Sequence, residues 1–155
     1  MTDRQDCSKV SVCLRIEHDS VAPEVVTDIL RIEPTHHVQR GQAVPNVGIS
    51  EWNVWVLASD WTIRTRVASE HWQWLLRAIA KRDYEFQKLR EDGHRLEIRF
   101  LWISNGRRAA PELDPRTLQE LAHLRIGLHF DILFIGQGDK QTDAGWEGPL
   151  RRVRP

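Results

Sequence analysis

The residues best suited to metal binding or acid–base chemistry in this sequence are its seven histidines. His36 and His37 are adjacent, and neighbouring side chains of an extended segment do not readily aim at one ion. No two histidines lie four residues apart on a helix, and no cysteine pair with metal-ligand spacing accompanies them. A site built from His129, Asp131 and a loop histidine is geometrically conceivable, but the spacing predicts no metal site. The seven are His18, His36, His37, His71, His94, His123 and His129.

Motifs that bind a cofactor or activate a nucleophile are missing or incomplete. Gly136-Gln137-Gly138 follows a predicted strand, as a dinucleotide-binding loop would, but no helix follows and the third glycine is missing. The sequence has no Walker loop, no nucleophile elbow and no serine or cysteine nucleophile with a recognisable base. Cys7 and Cys13 lie close together, mostly within one predicted strand, which disfavours a disulfide. We therefore predict no cofactor and favour a non-enzymatic protein, although enzymes can also assemble a site from dispersed residues.

Charge and hydropathy narrow the classes of partner. The chain has 22 Lys and Arg against 22 Asp and Glu, so no global positive field draws it to nucleic acid or to an anionic membrane. No apolar run approaches the roughly 18 residues of a membrane span, and the polar N-terminus lacks a signal-peptide core. We expect a cytoplasmic protein with neither a nucleic-acid nor a membrane partner.

A length of 155 residues suits one hydrophobic core. The apolar periodicities predict an α+β domain with a mixed sheet of about four or five strands, in the order β-α-β-α-β-α-β, and helices packed mainly on one face. Strands are predicted at about 10–17, 51–58, 94–104 and 128–135, and helices at 23–33, 69–81 and from Pro115 to the residues before Gly127. Residues 1–9 are predicted as a short polar segment, 10–136 as the domain and 137–155 as a polar, arginine-rich tail.

One face of the predicted sheet carries charge at one end and apolar residues at the other. In the third strand Glu97 and Arg99 precede two apolar residues, and in the fourth His129 and Asp131 do the same. A connecting helix makes such strands parallel, which aligns their charged ends. The first strand has the reverse order, so it has to run antiparallel to bring its charges to the same end. An uncovered face of this kind resembles a partner-binding patch, whereas ion pairing across strands on a solvated face is the ordinary alternative.

Tryptophans beside arginines are typical anchors of binding surfaces. Trp52 and Trp55 fall on opposite faces of the second strand, so one of them has to face away from the main core unless something covers that side. Trp61 is a further candidate for exposure. The predicted partner-binding residues are Trp55, Trp61, Glu97, Arg99, His129 and Asp131.

The segment from Pro34 to Ser50 shows no sustained periodicity and is predicted to be a long loop. Long loops that persist in a compact domain are often functional. The mouth of this loop could hold an anionic ligand, because it combines hydroxyl, imidazole and guanidinium groups. The candidate ligand-binding residues are Thr35, His36, His37, Arg40 and Gly41, with Arg99 as a further candidate.

Short pieces spread along the chain form an ordered pattern. They are Leu30 with Ile32, Pro34-Thr35, Arg40-Gly41, Trp52, Ser59, His71, Leu75-Leu76, Leu118, Leu121-Ala122, Leu124 and Phe130-Asp131-Ile132. Over about residues 10 to 136, this pattern resembles a bacterial family defined only as a domain of unknown function, number 4279 in its series. The resemblance implies a small protein without an established activity, and some members are similar to immunity proteins of bacterial toxin systems. The arginine-rich tail and the extra tryptophans depart from the family pattern.

Three interpretations of function follow. The leading one is a non-enzymatic protein-binding module, an immunity-type inhibitor that covers the active site of a cognate toxin with the 34–41 loop and the exposed sheet. The second is a small-ligand sensor or enzyme with an anion site in that loop. The third is a homodimer joined through the open sheet face.

Overall fold

β1 (Cys7–His18) is the central strand of a five-stranded mixed sheet in the computed structural model, which describes residues 7–104 and 111–135. The other four strands of this sheet are β2 (His36–Val38), β5 (Asn53–Ala58), β6 (Arg95–Ser104) and β7 (Gly127–Phe134). Two short strands, β3 (Ala43–Val44) and β4 (Gly48–Ile49), lie outside it. The helices are α1 (Pro23–Leu30), α2 (Ala68–Ala78), α3 (Asp83–Glu91) and α4 (Pro115–Leu124), and a single 3₁₀ turn covers Ser59–Trp61.

The strand order in the sheet is β2-β5-β1-β6-β7. β1 pairs antiparallel with both β5 and β6, and β2 pairs antiparallel with β5. β7 runs parallel to β6, because α4 carries the chain back to the same end of the sheet. The predicted α+β class, the mixed sheet, the parallel pair and the antiparallel first strand are confirmed.

Local signals explain where the helices begin and end. Pro23 occupies the start of α1, and Arg31 ends it in the left-handed conformation with φ 56°. The Asp114 carboxylate caps α4 by accepting a hydrogen bond from the Thr117 amide at 3.0 Å. Lys81, with φ 61°, lies in the break between α2 and α3, so the helix predicted to reach residue 81 ends earlier.

The main core lies between the helices and one face of the sheet, which we call the first face. It contains fully buried side chains of β1, β5 and β6, such as Leu14, Trp55 and Phe100. Trp72 of α2 stacks on Phe100 with ring centroids 5.2 Å apart. Burial of each such side chain contributes about 1.5–3 kcal/mol, so this interface dominates the stability of the fold.

The segment from Pro34 to Ser50 is more ordered than its sequence predicts. β2 forms the outer strand beside β5, and β3 pairs with β4 in a separate two-stranded hairpin. The prediction of one long loop is wrong for these residues, because strands of two or three residues are too short to show a periodicity. Gly41, with φ 85°, supplies the left-handed backbone conformation between β2 and β3.

The predictions about a membrane span and about the two terminal segments concern residues that the structure describes only in part. No helix within 7–104 and 111–135 is long and apolar enough to cross a bilayer. The predicted tail at 137–155 lies outside the described residues, as do the first six residues of the predicted N-terminal segment. The last three residues of that N-terminal segment, 7–9, belong to β1.

Candidate functional site

On the second face of the sheet, opposite the helices, six charged or imidazole side chains form a network that we call the ion cluster. Arg15 pairs with Glu17 at 2.9 Å along β1. On the neighbouring strands, Arg99 lies 3.8 Å from Glu97 and 3.7 Å from Asp131. His129 Nε2 lies 3.4 Å from Asp131 Oδ1, and His129 Nδ1 lies 3.9 Å from Glu97 Oε1. The ion cluster therefore comprises Arg15, Glu17, Glu97, Arg99, His129 and Asp131.

Strand register explains why these residues meet. Arg15 of β1 lies opposite Glu97 of β6, and Arg99 lies beside His129 of the parallel strand β7. The sequence prediction that the charged ends of three strands align is confirmed. Glu97, Arg99, His129 and Asp131, four of the predicted partner-binding residues, are thus brought together.

Burial changes what the ion cluster can do. Arg15 and Arg99 are each only 3% exposed, so their charges are compensated inside the protein instead of being presented to a partner. Burial lowers the pKa of Arg15, and the adjacent Glu17 carboxylate opposes that shift. The three carboxylates of the cluster face two guanidinium groups, so little net charge remains for steering a basic partner. Glu97, His129 and Asp131 are the members that still reach solvent.

The apolar part of the second face is also packed. Cys13, Val56 and Ala58 form a second buried cluster with their neighbours, and Val44 and Trp52 pack against it. Burial raises the pKa of Cys13 to about 12, although Arg99 and Arg15 favour its thiolate. The β3–β4 hairpin and the segment before β5 therefore cover this side of the sheet, and the second face is not a continuous open surface.

The two tryptophans predicted as partner contacts differ in their exposure to solvent. Trp55 is fully buried on the first face, and its indole N–H donates to the Thr27 hydroxyl at 3.1 Å. Its assignment as a partner contact is wrong, because β5 lies inside the sheet and α1 covers it. Trp61 is 63% exposed and meets the His36 ring edge-on at 5.0 Å. This places Trp61 near β2, at the opposite edge of the sheet from β7.

The candidate ligand-binding residues of the 34–41 segment do not converge. His36 and His37 lie opposite Val56 and Trp55 of β5, so they point to opposite faces. The Thr35 hydroxyl is used within the fold, since it donates to the Val56 carbonyl at 3.1 Å and accepts from the Ala58 amide at 2.9 Å.

Arg40 and Gly41, the other two candidate ligand-binding residues, also form hydrogen bonds to nearby backbone carbonyls. The exposed Arg40 guanidinium donates to the Asp19 carbonyl at 3.2 Å. The Gly41 amide donates to the Ser50 carbonyl at 2.7 Å and closes the base of the hairpin. The five candidates thus belong to several local contacts, and the anion site stays a prediction.

An open cleft of about 270 Å³ lies between α1 and the start of β2. His37 is the one ligand-site candidate that lines it. Three carboxylates also line the cleft, from Glu24, Asp28 and Glu33, and they disfavour an anionic ligand there. Within the described residues, no group of three or more His, Cys, Asp and Glu side chains is placed to hold a metal ion.

One contact between a serine and a histidine was not predicted from the sequence. The Ser59 hydroxyl lies against the His71 ring, and the two residues are 0% and 1% exposed. A serine and a histidine this close resemble a nucleophile and its base, but full burial keeps a substrate away. Sequence spacing gave no signal of this contact, because it joins the turn after β5 to α2.

Of the strands in the described part of the chain, β7 has the most exposed large apolar side chains. Phe130, Ile132, Leu133 and Phe134 are 42%, 40%, 36% and 57% exposed. Among the described strands, β7 has a neighbour on one side only. We call this exposed side the β7 edge. The sequence predicted the strand and its apolar residues but not their exposure, because exposure follows from strand order.

Comparison with known proteins places the chain in a family. A family model described as a domain of unknown function, DUF4279, matches residues 8–134. The chain belongs to the DUF4279 family. Neither a curated protein nor a solved structure shows significant similarity to the chain. The resemblance found in the sequence is confirmed over nearly the same residues.

Several residues that carried the resemblance to DUF4279 hold this domain together. Thr35 fastens the start of β2 to β5, and Ser59 and His71 join β1, β5 and α2. Leu75 of α2 is fully buried in the main core. Their positions indicate structural roles in this DUF4279 domain, whereas Phe130 and Ile132 of the same pattern reach the surface at the β7 edge.

Proposed function

We propose that this DUF4279 protein is a non-enzymatic protein-binding module that acts as an immunity-type inhibitor of a bacterial toxin and contacts it through the β7 edge. The observation that carries the proposal is the exposure of Phe130, Ile132, Leu133 and Phe134 on an outer strand. Monomeric proteins rarely leave a long apolar strand edge unprotected, because it pairs readily with other chains. The toxin as partner class rests on what the family resemblance in the sequence implies, namely that some members are similar to immunity proteins of toxin systems.

The chemistry of the β7 edge fits recognition of another polypeptide. Its outward backbone groups can extend the sheet onto a partner strand, and the alternate side chains can select the partner. Glu97, His129 and Asp131 add a partly exposed polar border beside the apolar residues. An apolar centre with a polar rim is the usual composition of a protein interface.

The test is co-expression with the product of the neighbouring gene, followed by co-purification and a cell-protection assay. The wild-type chain is expected to bind that product and to protect cells from it. Ile132→Lys should abolish binding, because it places a charge in the centre of the β7 edge. Ile49→Lys is the matched control: Ile49 is 65% exposed in the hairpin that packs against β5, away from β7, and should leave binding unchanged.

Two results would contradict the proposal. A wild-type chain that neither binds the neighbouring product nor protects against it removes the immunity function. Binding that survives in Ile132→Lys, with the variant folded, shows that the β7 edge is not the contact surface.

A further inference from the structure

The backbone of β7 alternates between groups that face β6 and groups that face outward. The Ile135 amide, directly after β7, donates to the Ser104 carbonyl of β6 at 2.8 Å. Because inward and outward groups alternate along a strand, the amides of Leu128, Phe130, Ile132 and Phe134 point away from β6. These are also the positions whose side chains lie on the first face, and three of the four are exposed large apolar residues.

When two copies of β7 are aligned antiparallel, the charged residues of one copy lie opposite residues of opposite charge in the other, and apolar residues lie opposite apolar residues. We propose that a second copy of this chain pairs antiparallel with the β7 edge about a two-fold axis at Phe130, so that His129 of each copy lies opposite Asp131 of the other. The sheets of the two copies then form one continuous sheet. The proposal rests on the proposed function in one respect, the assignment of the β7 edge as a protein-binding surface.

The charges select this register over its neighbours. Directly opposed residues of antiparallel strands have their side chains on the same face of the sheet. The alternative registers therefore differ from this one by a shift of two residues between the strands, which moves the two-fold axis by one residue. A two-fold axis at Asp131 would place two carboxylates opposite each other, and an axis at His129 would oppose two imidazoles. The axis at Phe130 instead creates two His129–Asp131 pairs, one on each side of the centre.

The apolar residues match in the same register. Phe130 lies opposite its own copy, Leu128 lies opposite Ile132, and Ile126 lies opposite Phe134. These pairs bury the residues that are 42%, 40% and 57% exposed in one copy, at Phe130, Ile132 and Phe134. Aromatic and branched cross-strand pairs are among the most favourable in antiparallel sheets. Pairing also satisfies the outward backbone groups.

The proposed dimer has the symmetry that homodimers most often adopt. A two-fold interface uses the same patch on both copies, which a self-complementary strand provides. The dimer and the toxin complex would occupy the same edge. Toxin binding and self-association are therefore expected to compete.

The experiment is sedimentation equilibrium of the purified full chain over a wide range of concentration. The wild type is expected to show a monomer–dimer equilibrium. Ile132→Lys should be monomeric throughout, whereas Ile49→Lys should dimerise like the wild type. Circular dichroism of each variant reports whether the monomer fold is intact.

A histidine substitution tests the register itself. His129→Lys places a permanent positive charge opposite Asp131 of the other copy and should lower the dimer Kd by about threefold or more. It also keeps a favourable charge beside Glu97 and Asp131 within the monomer. His123→Lys makes the same change on an exposed position of α4 and should leave the dimer Kd unchanged.

The results separate this inference from the proposed function. A wild-type chain that stays monomeric at all concentrations overturns the dimer, and a weaker or unchanged dimer for His129→Lys overturns the register with its axis at Phe130. A monomeric wild type that binds the toxin through Ile132 overturns the dimer and supports the proposed function. A dimer that follows the expected variants without any toxin binding supports this inference and overturns the proposed function.

Discussion

The Ser59 hydroxyl oxygen lies 2.6 Å from Nδ1 of the buried His71 ring. The same oxygen accepts the Val12 amide of β1 at 2.9 Å, and His71 Nε2 lies 3.0 Å from the Thr65 carbonyl. The arrangement is satisfied when the serine O–H donates to Nδ1 and the neutral imidazole donates from Nε2. One hydroxyl thus joins the central strand to α2.

Ser59→Ala is expected to destabilise the domain. It leaves the Val12 amide and His71 Nδ1 without their buried hydrogen-bonding partner, which costs about 1–3 kcal/mol in free energy of unfolding. Urea denaturation measures the change. Ser69→Ala, on the exposed side of α2, is the control and should unfold like the wild type. Equal midpoints for Ser59→Ala and the wild type would show that the buried pair contributes nothing.

Stability is expected to fall as the pH is lowered through the histidine range. Burial lowers the pKa of His71 and of His94 in the folded protein, and the His18 ring 4.7 Å away adds to the shift of His94. Below the unfolded pKa of about 6.5, the unfolded chain therefore binds more protons than the folded chain. The loss begins near that pH and is complete below the folded pKa values.

Urea denaturation at a series of pH values measures this dependence. His94→Gln should make the decline shallower, because it removes one of the two buried groups whose protonation disfavours folding. The glutamine amide can still donate to the Leu89 carbonyl, which His94 Nδ1 contacts at 3.2 Å. Ser69→Ala, at an exposed position, keeps both buried histidines and should leave the slope unchanged. Stability that stays constant from neutral pH down to about pH 5 would contradict the proposed cause.

The two cysteines are expected to be inert in the native protein. Cys7 and Cys13 are both buried, and burial raises the pKa of Cys13 to about 12, so hardly any reactive thiolate forms there at neutral pH. Iodoacetamide should label Cys13 very slowly in the native state and rapidly in concentrated guanidinium chloride. Peptide mass spectrometry identifies the labelled residue. Rapid native labelling of Cys13 would show that the second face opens readily.

Thr35→Val is expected to loosen the β2 edge without unfolding the domain. The substitution preserves the shape of the side chain but removes the hydroxyl that accepts the Ala58 amide and donates to the Val56 carbonyl. Hydrogen exchange should accelerate at Ala58 and along β2, while the central strand β1 keeps its protection. Thr62→Val changes an exposed threonine and serves as the control. Unchanged exchange at Ala58 would show that the Thr35 hydroxyl does not hold this edge.

The sequence predicted the elements that carry a periodicity. β1 and β6 alternate apolar and polar residues, α4 has an Asp114-Pro115 start signal, and a crossover helix implies that β7 is parallel to β6. Each of these signals is local or follows from a general rule of chain connection. The alignment of charged residues could therefore be predicted before the strand order was known.

Burial on a given face could not be predicted in the same way. The alternation at Trp52 and Trp55 showed that they face opposite sides, but only the packing of α1 and of the hairpin shows what covers each side. Arg99 follows a pattern typical of a solvated strand, yet it is 3% exposed. Such differences depend on contacts between residues distant in sequence, for which one sequence carries no local signal.

The central position of β1 has a consequence for how the chain acquires its structure during synthesis. β1 is the first of the described strands to be made, but its two neighbours are β5 and β6, and β6 spans residues 95–104. The apolar strand therefore leaves the ribosome long before both of its neighbours exist, and productive folding waits until most of the domain has been translated. The early nascent chain is the stage at which chaperones would protect it most.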